Sequence, residues 1–377
     1  MRLVFASDSF KGTLSSADTA ELLEAAARDA FPECETIAVP MADGGEGTTA
    51  ALVAASGGAI VTREVEGPMG ESVTASVGLL GEGRAVIEMA SAAGLPLVEG
   101  PLDPLRATTR GVGELIVAAL DAGCRDLTIA LGGSATNDGG MGMLAALGAR
   151  FLDGRGNELH GTAAELGLVS DIDLRGLDVR LRSTRVTTMC DVDNPLVGPS
   201  GATAVFGPQK GLAQDLVTSV DDDMRHYAQV AARVLGSDWS ATPGAGAAGG
   251  LGFACRAFLG ASLSRGIDRV IELTGFERML AGADACVTGE GRLDAQTARG
   301  KVVCGVARAC AAHGVPCVAL VGTAMPGAER LEGLSAVVET APPGIPHEEA
   351  LRRARELYAV GASKVMDIIG RMSHEVS

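Results

Sequence analysis

The chain has 377 residues, 47% of them hydrophobic and only 3% aromatic, with a formal net charge of −16. That length suits about two domains whose cores are built mainly from Ala, Val, Leu and Ile, and an acidic balance without basic blocks or stripes argues against nucleic acid or an anionic membrane as the main partner. No apolar run is long enough to cross a bilayer, and "MRLVFASDSFKG" is too briefly apolar before Asp8 to be a secretory leader, so a cytoplasmic protein with a small-molecule partner is expected.

Along the chain, the first forty residues predict a strand at 3–6, a helix at about 15–30 and a strand at about 36–39. "AIVTREVEG", "SVTASVGLL" and "RAVIEMA" alternate with period two and predict an antiparallel meander. "LTIAL" predicts a buried strand that enters a glycine-rich loop before a helix near 141–148, "FLDGRGNEL" predicts a hairpin, and residues 186–189 predict another strand. The last hundred residues return to alternating β and α: "ACVT", a helix near 302–312, "PCVALVG", "AVVET" and a helix near 348–369. Apolar strands alternating with helices imply a doubly wound parallel sheet. The expected organisation is a discontinuous α/β domain (1–65 and 280–377) interrupted by an inserted α/β domain with antiparallel strands (66–279), the site lying between them.

In open α/β sheets ligands bind beyond the carboxyl ends of the strands. Five such loops carry acids: "SDSFKGTLSS", "PMADGGEGT", "GGSATNDGG", "CDVDNPL" and "GEGRLDAQT". A strand-loop-helix junction rich in glycine also offers backbone N–H groups and the positive end of a helix to an anion, although Ser134, Thr136 or Asn137 could simply cap the helix that follows. Only four lysines, Lys11, Lys210, Lys301 and Lys364, stand among 31 basic residues, and the first three are close to glycine. A compact ammonium chosen over guanidinium suggests phosphate contact, assigned to Lys11 and Lys301.

Several chemistries are set aside. The Walker A pattern is absent, and "GAGAAG" at 244–249 matches G-x-G-x-x-G without the preceding strand that a dinucleotide site requires, which weakens a dehydrogenase reading and leaves a turn into a closely packed helix or a loop closing on a ligand. The five histidines fall outside the acid-rich loops, and the eight cysteines lack C-x-x-C and read as reduced core residues. What remains is carboxylate, lysine, arginine and glycine, the parts of phosphoryl transfer with ATP and Mg²⁺. Gly132, Gly133, Gly289, Glu290 and Gly291 with Lys301 are the nucleotide-binding candidates, and Asp43, Glu46 and Asp138 the metal candidates. Asp191 is the candidate general base, with Asp8 as alternative.

"DSFKGTLSS", "MADGGEGT", "LGGSATNDGGMGML", "CDVDNPL", "FGPQKG", "GAGAAGGLG" and "VTGEGRLDAQT" resemble, in that order, the motif series of the type I bacterial glycerate kinase family. The resemblance implies a flavodoxin-like domain with a second α/β domain inserted, and ATP-dependent phosphorylation of D-glycerate, most often at the 2-hydroxyl to give 2-phosphoglycerate. Under that reading Ser134, Thr136, Asn137 and Arg292 suit a substrate with one carboxylate and two hydroxyls. A 3-phosphoglycerate-forming kinase and a non-catalytic sensor of a small acidic metabolite are the alternatives. Monomer and homodimer are both open.

Overall fold

The computed structural model describes residues 1–10, 12–293, 301–327 and 331–375. The chain divides into two compact units: Met1–Asp43 with Ala54–Ser56 and Arg265–Ser377 form the first, and Gly44–Val53 with Gly57–Ser264 the second.

In the first unit, β1 (Arg2–Ser7) is followed by the helix Ser16–Ala30 and β2 (Glu35–Ala38). The helix begins where it does because Ser15 and Asp18 form a reciprocal capping box, and it buries Thr19, Leu23 and Ala27, spaced four apart on one face. Leu23 and Ala27 pack into a core with Leu3, Phe5, Val287, Leu320 and Tyr358.

The chain then builds the second unit: β3 (Ala59–Glu66), β4 (Ser72–Gly81), β5 (Arg84–Glu88), β6 (Asp126–Ala130), a β7–β8 pair (Arg150–Leu152 with Asp171–Asp173), β9 (Arg185–Met189) and β10 (Ser262–Ser264). Six of these strands make one sheet in the order β10-β9-β6-β5-β4-β3. The expected meander is its antiparallel edge, and from β5 onward the pairs are parallel. Charged Arg63, Glu64 and Glu66 blunt the β3 edge.

On its return the chain adds β11 (Ala285–Gly289), β12 (Arg292–Leu293), β13 (Cys317–Val321), β14 (Thr323–Ala324) and β15 (Ala336–Glu339) to the first unit. Its five-stranded sheet runs β15-β13-β11-β1-β2, parallel throughout. Counted within the unit this is the order 2-1-3-4-5 of flavodoxin-like sheets, whose switch point lies between β1 and β11. All five residues of β11 and of β13 are buried, as strands covered on both faces must be.

The boundaries expected at 65 and 280 fall earlier. β3 pairs with β4 over eight positions and so belongs to the second unit, while the helix Gly266–Thr274 lays Ile267 against Gly305 of the helix Val302–Ala312 and belongs to the first. The single helix expected near 348–369 is two, His347–Arg352 and Ala354–Glu375. The eight cysteines are free, and the sulfurs of Cys286, Cys310 and Cys317 lie within 4.8 Å of one another in the buried part of the first unit. Among the described residues no helix is long and apolar enough to cross a membrane.

Candidate active site

At the switch point, the Asp8 N–H donates to the Gly289 carbonyl at 2.9 Å, tying the loop after β1 to the end of β11. Asp8 Oδ1 accepts from Ser9 N–H at 2.6 Å, which fixes the direction of the carboxylate. Glu290, 6% exposed, follows β11, and Lys301 Nζ stands 3.9 Å from its Oε2. Lys301 is also the N-cap residue of the helix Val302–Ala312, so an ammonium and a helix N-terminus occur together.

The glycines here serve backbone approach. A Cβ on Gly289 would lie 2.2 Å from the Leu320 carbonyl oxygen, and one on Gly322 would lie 2.3 Å from that of Gly291. Asp8, Asp43, Glu290, Gly291, Arg292 and Lys301 therefore line one cavity of about 390 Å³, within the usual range for small ligands. Phe10, Leu351 and Leu357 give it an apolar wall, and His347 joins the lining from the first of the two C-terminal helices. His347 lies outside the acid-rich loops, as the sequence has it, yet reaches the same cavity because a helix, not a strand-end loop, delivers it. Lys11, expected to contact phosphate, lies outside the described residues.

A second cluster forms in the other unit, on the loop after β6. Gly132 and Gly133 are exposed, whereas Ser134, Thr136 and Asn137 are buried. None of the three caps the following helix, Met141–Ala146, whose N-cap is Gly140 in the left-handed region at φ 74°. Asn137 Nδ2 instead donates to Thr203 Oγ1 at 3.0 Å. Lys210 Nζ donates to Ser134 Oγ and to the Thr136 carbonyl, both at 2.7 Å. Burial pushes the Lys210 ammonium down to about 7, partly offset by Asp138. The sequence signals for Lys210 are the scarcity of lysine, the glycine beside it and its place in "FGPQKG", none of which assigns it a partner.

Asp138 is a correction. It is fully buried, and its oxygens accept from Thr109 N–H and Oγ1, Gly140 N–H and Gly142 N–H, at 2.8, 2.7, 3.0 and 3.2 Å. Burial raises its pKa against those hydrogen bonds. Oδ2 takes three of these bonds and Oδ1 one, and with the side chain fully buried the carboxylate organises the loop instead of facing a cavity where a metal could sit. Glu46 is exposed, while Glu88, unnoticed in the sequence, accepts from Thr49 N–H at 2.5 Å and is itself pushed up by burial.

"GAGAAG" also resolves. A Cβ on Gly249 would fall 2.0 Å from the Thr136 carbonyl, and one on Gly250 would fall 2.7 Å from Gly139 Cα. These glycines let one loop pack on another, as Gly139 N–H to Gly249 O at 2.9 Å confirms. Asp191 is exposed on the loop after β9, beside buried Cys190.

A flavodoxin-like sheet that gathers carboxylates, a lysine and a helix N-terminus at its switch point has the parts of a phosphotransferase. The model of the glycerate kinase family matches residues 3–370. The chain belongs to that family, as its motif series implied. It is 48% identical over 362 residues to "Glycerate kinase" of Bacillus subtilis (strain 168), covering 94% of each chain, and 46% identical over 325 residues to "Glycerate 2-kinase" of Escherichia coli (strain K12), covering 86% of this chain and 85% of that one. A crystal structure from Salmonella typhimurium LT2, described as a candidate glycerate kinase 2, superposes with a TM-score of 0.91 at 42% identity over 99% of both chains.

Proposed function

We propose that the protein transfers the γ-phosphoryl group of ATP to D-glycerate, at the 2-hydroxyl, giving 2-phosphoglycerate and ADP. The observation that carries this reading is the convergence of Asp8, Asp43, Glu290 and Lys301 on one cavity at the switch point, in a chain of the glycerate kinase family. The apolar wall of Phe10, Leu351 and Leu357 suits an adenine ring, and Lys301 with its helix N-terminus suits the phosphates. Glycerate is assigned to Ser134, Thr136 and Asn137, with Gly132 and Gly133 of the same loop kept for the nucleotide phosphates, and Arg292 serves those phosphates rather than the acid, because it lines the cavity.

The hard oxygens of Asp43, Asp8 and Glu290 around that cavity fit Mg²⁺. When bound, the ion would neutralise phosphate charge. Phosphoryl transfer asks the protein mainly for position and charge, with the hydroxyl proton accepted late. Asp191 is proposed as the acceptor and Asp8 as its alternative, favoured by its place on the cavity wall. Reduced thiols and the absence of a membrane-crossing helix among the described residues are in keeping with a cytoplasmic enzyme.

A coupled ADP assay with D-glycerate, ATP and Mg²⁺ tests the activity, and phosphorus NMR of the product tests the position. Glycerate-independent ADP release alone would refute the first. A 3-phosphoglycerate signal would refute the second.

A further inference from the structure

Lys210 ends the short turn Pro208–Lys210 and is 2% exposed. Its two hydrogen bonds go to a hydroxyl and a carbonyl, and among the described residues it has no carboxylate at ion-pair distance. A positive charge removed from water without a counter-charge is costly. The acid that acts on it, Asp138, already accepts four hydrogen bonds from its own loop and from Thr109. Beside the clamp, two more buried atoms, Thr136 Oγ1 and Asn137 Oδ1, have no hydrogen-bond partner among the described residues.

These unsatisfied groups have complementary chemistry. A cation and a hydroxyl donor suit a carboxylate, and a lone amide oxygen suits a hydroxyl. A 2-hydroxy acid presents that pair on adjacent carbons.

We propose that Lys210 makes this loop select a hydroxy acid over its uncharged analogues: its ammonium pins Ser134 and Thr136 and supplies the positive charge that the substrate carboxylate answers. The inference rests on glycerate being the substrate. Lys210 both pins the loop and supplies the charge that selects the acid, and is a specificity-determining residue distinct from the phosphate-handling lysines.

Lys210→Met keeps the stem and its bulk and removes the charge. The KM for D-glycerate should rise ~30-fold or more while that for ATP stays within about twofold, a split that a merely structural role would not produce. The preference for D-glycerate over glyceramide, its neutral amide, should shrink about tenfold. D-glycerate should no longer raise the melting temperature, while ATP with Mg²⁺ still does. A folded Lys210→Met enzyme with the wild-type glycerate KM and preference overturns the proposal. If that variant does not fold, Thr136→Val decides: it removes only the unpartnered hydroxyl, so it should hold its melting temperature and raise the glycerate KM about fivefold or more, and an unchanged KM overturns the proposal. A wild-type enzyme inactive on D-glycerate refutes the activity itself. The loop inference then fails separately if no small hydroxy acid gives a thermal shift that depends on Lys210.

Discussion

Thr109 holds Asp138 twice, its backbone N–H and its hydroxyl both donating to Asp138 Oδ2, at 2.8 and 2.7 Å. Oδ1 meanwhile accepts from Gly140 N–H. Both oxygens face donors, so an amide nitrogen at either position would point N–H at N–H. Asp138→Asn should therefore destabilise the protein by about 2–4 kcal/mol in urea unfolding while leaving the Mg²⁺ concentration for half-maximal activity unchanged. The opposite pattern, full stability with a shifted metal titration, would restore Asp138 as a ligand.

Gly289 lies against the Leu320 carbonyl, where an added Cβ would sit 2.2 Å away. Gly289→Ala must push β11 from β13 and should cost about 1–3 kcal/mol. A wild-type unfolding midpoint would mean that the two strands have more freedom than their spacing implies.

Lys301 faces Glu290 at 3.9 Å with a third of its side chain exposed. Such a pair contributes under about 1 kcal/mol to stability, so Lys301→Met should barely move the thermal midpoint. Turnover should fall by about two orders of magnitude if the ammonium stabilises transferring phosphate. Steady-state kinetics with parallel calorimetry separates the two effects.

For Lys210 the sign of the pH dependence follows from burial. Its folded pKa, about 7, lies below the ordinary lysine value of 10.5, so the unfolded chain binds more protons between those values. Its contribution to stability is present above the unfolded value and is lost as pH falls through about 7. Wild-type stability should rise relative to Lys210→Met as pH increases from 7 to 10. Parallel curves for the two proteins would place the lysine in a less desolvated environment.

Asp191→Asn and Asp8→Asn keep shape and remove basicity. The variant missing the true proton acceptor should bind ATP and glycerate nearly normally and lose about 10²-fold or more in kcat. Asp191 is expected to show this loss; near-normal turnover in Asp191→Asn with a large loss in Asp8→Asn would reverse the assignment.

Much of the fold was legible because local signals agreed with it. The run "ACVTG" is apolar enough to be buried on both faces, and the helix expected at about 15–30 starts where the Ser15–Asp18 capping box sets it. The site was harder. Asp43 and Asp138 both precede a pair of glycines, yet Asp43 lines a cavity and Asp138 is consumed by Thr109, 29 residues earlier in the chain. Nothing local distinguishes them; the difference lies in what the fold brings near. His347 and Lys210 were obscured for the same reason, each reaching its cluster from a helix or turn distant in sequence. The domain boundaries were misjudged because period-two alternation marks β3 as a strand without saying which sheet it joins.

The pairing of Leu3 with Ala285 means that β1 meets its central neighbour only after 282 further residues have been made (285 − 3). At ordinary synthesis rates that is a wait of roughly 15 seconds to a minute. During it the second unit, from 57 to 264, can emerge whole and fold, while β1 and β2 have only each other and the helix Ser16–Ala30 for cover. The apolar "LVFA" of β1 is then an open edge on the ribosome. The first unit to begin synthesis is thus the last to finish folding, and holdase chaperones binding ribosome-stalled chains should lose their grip only once β11 has emerged.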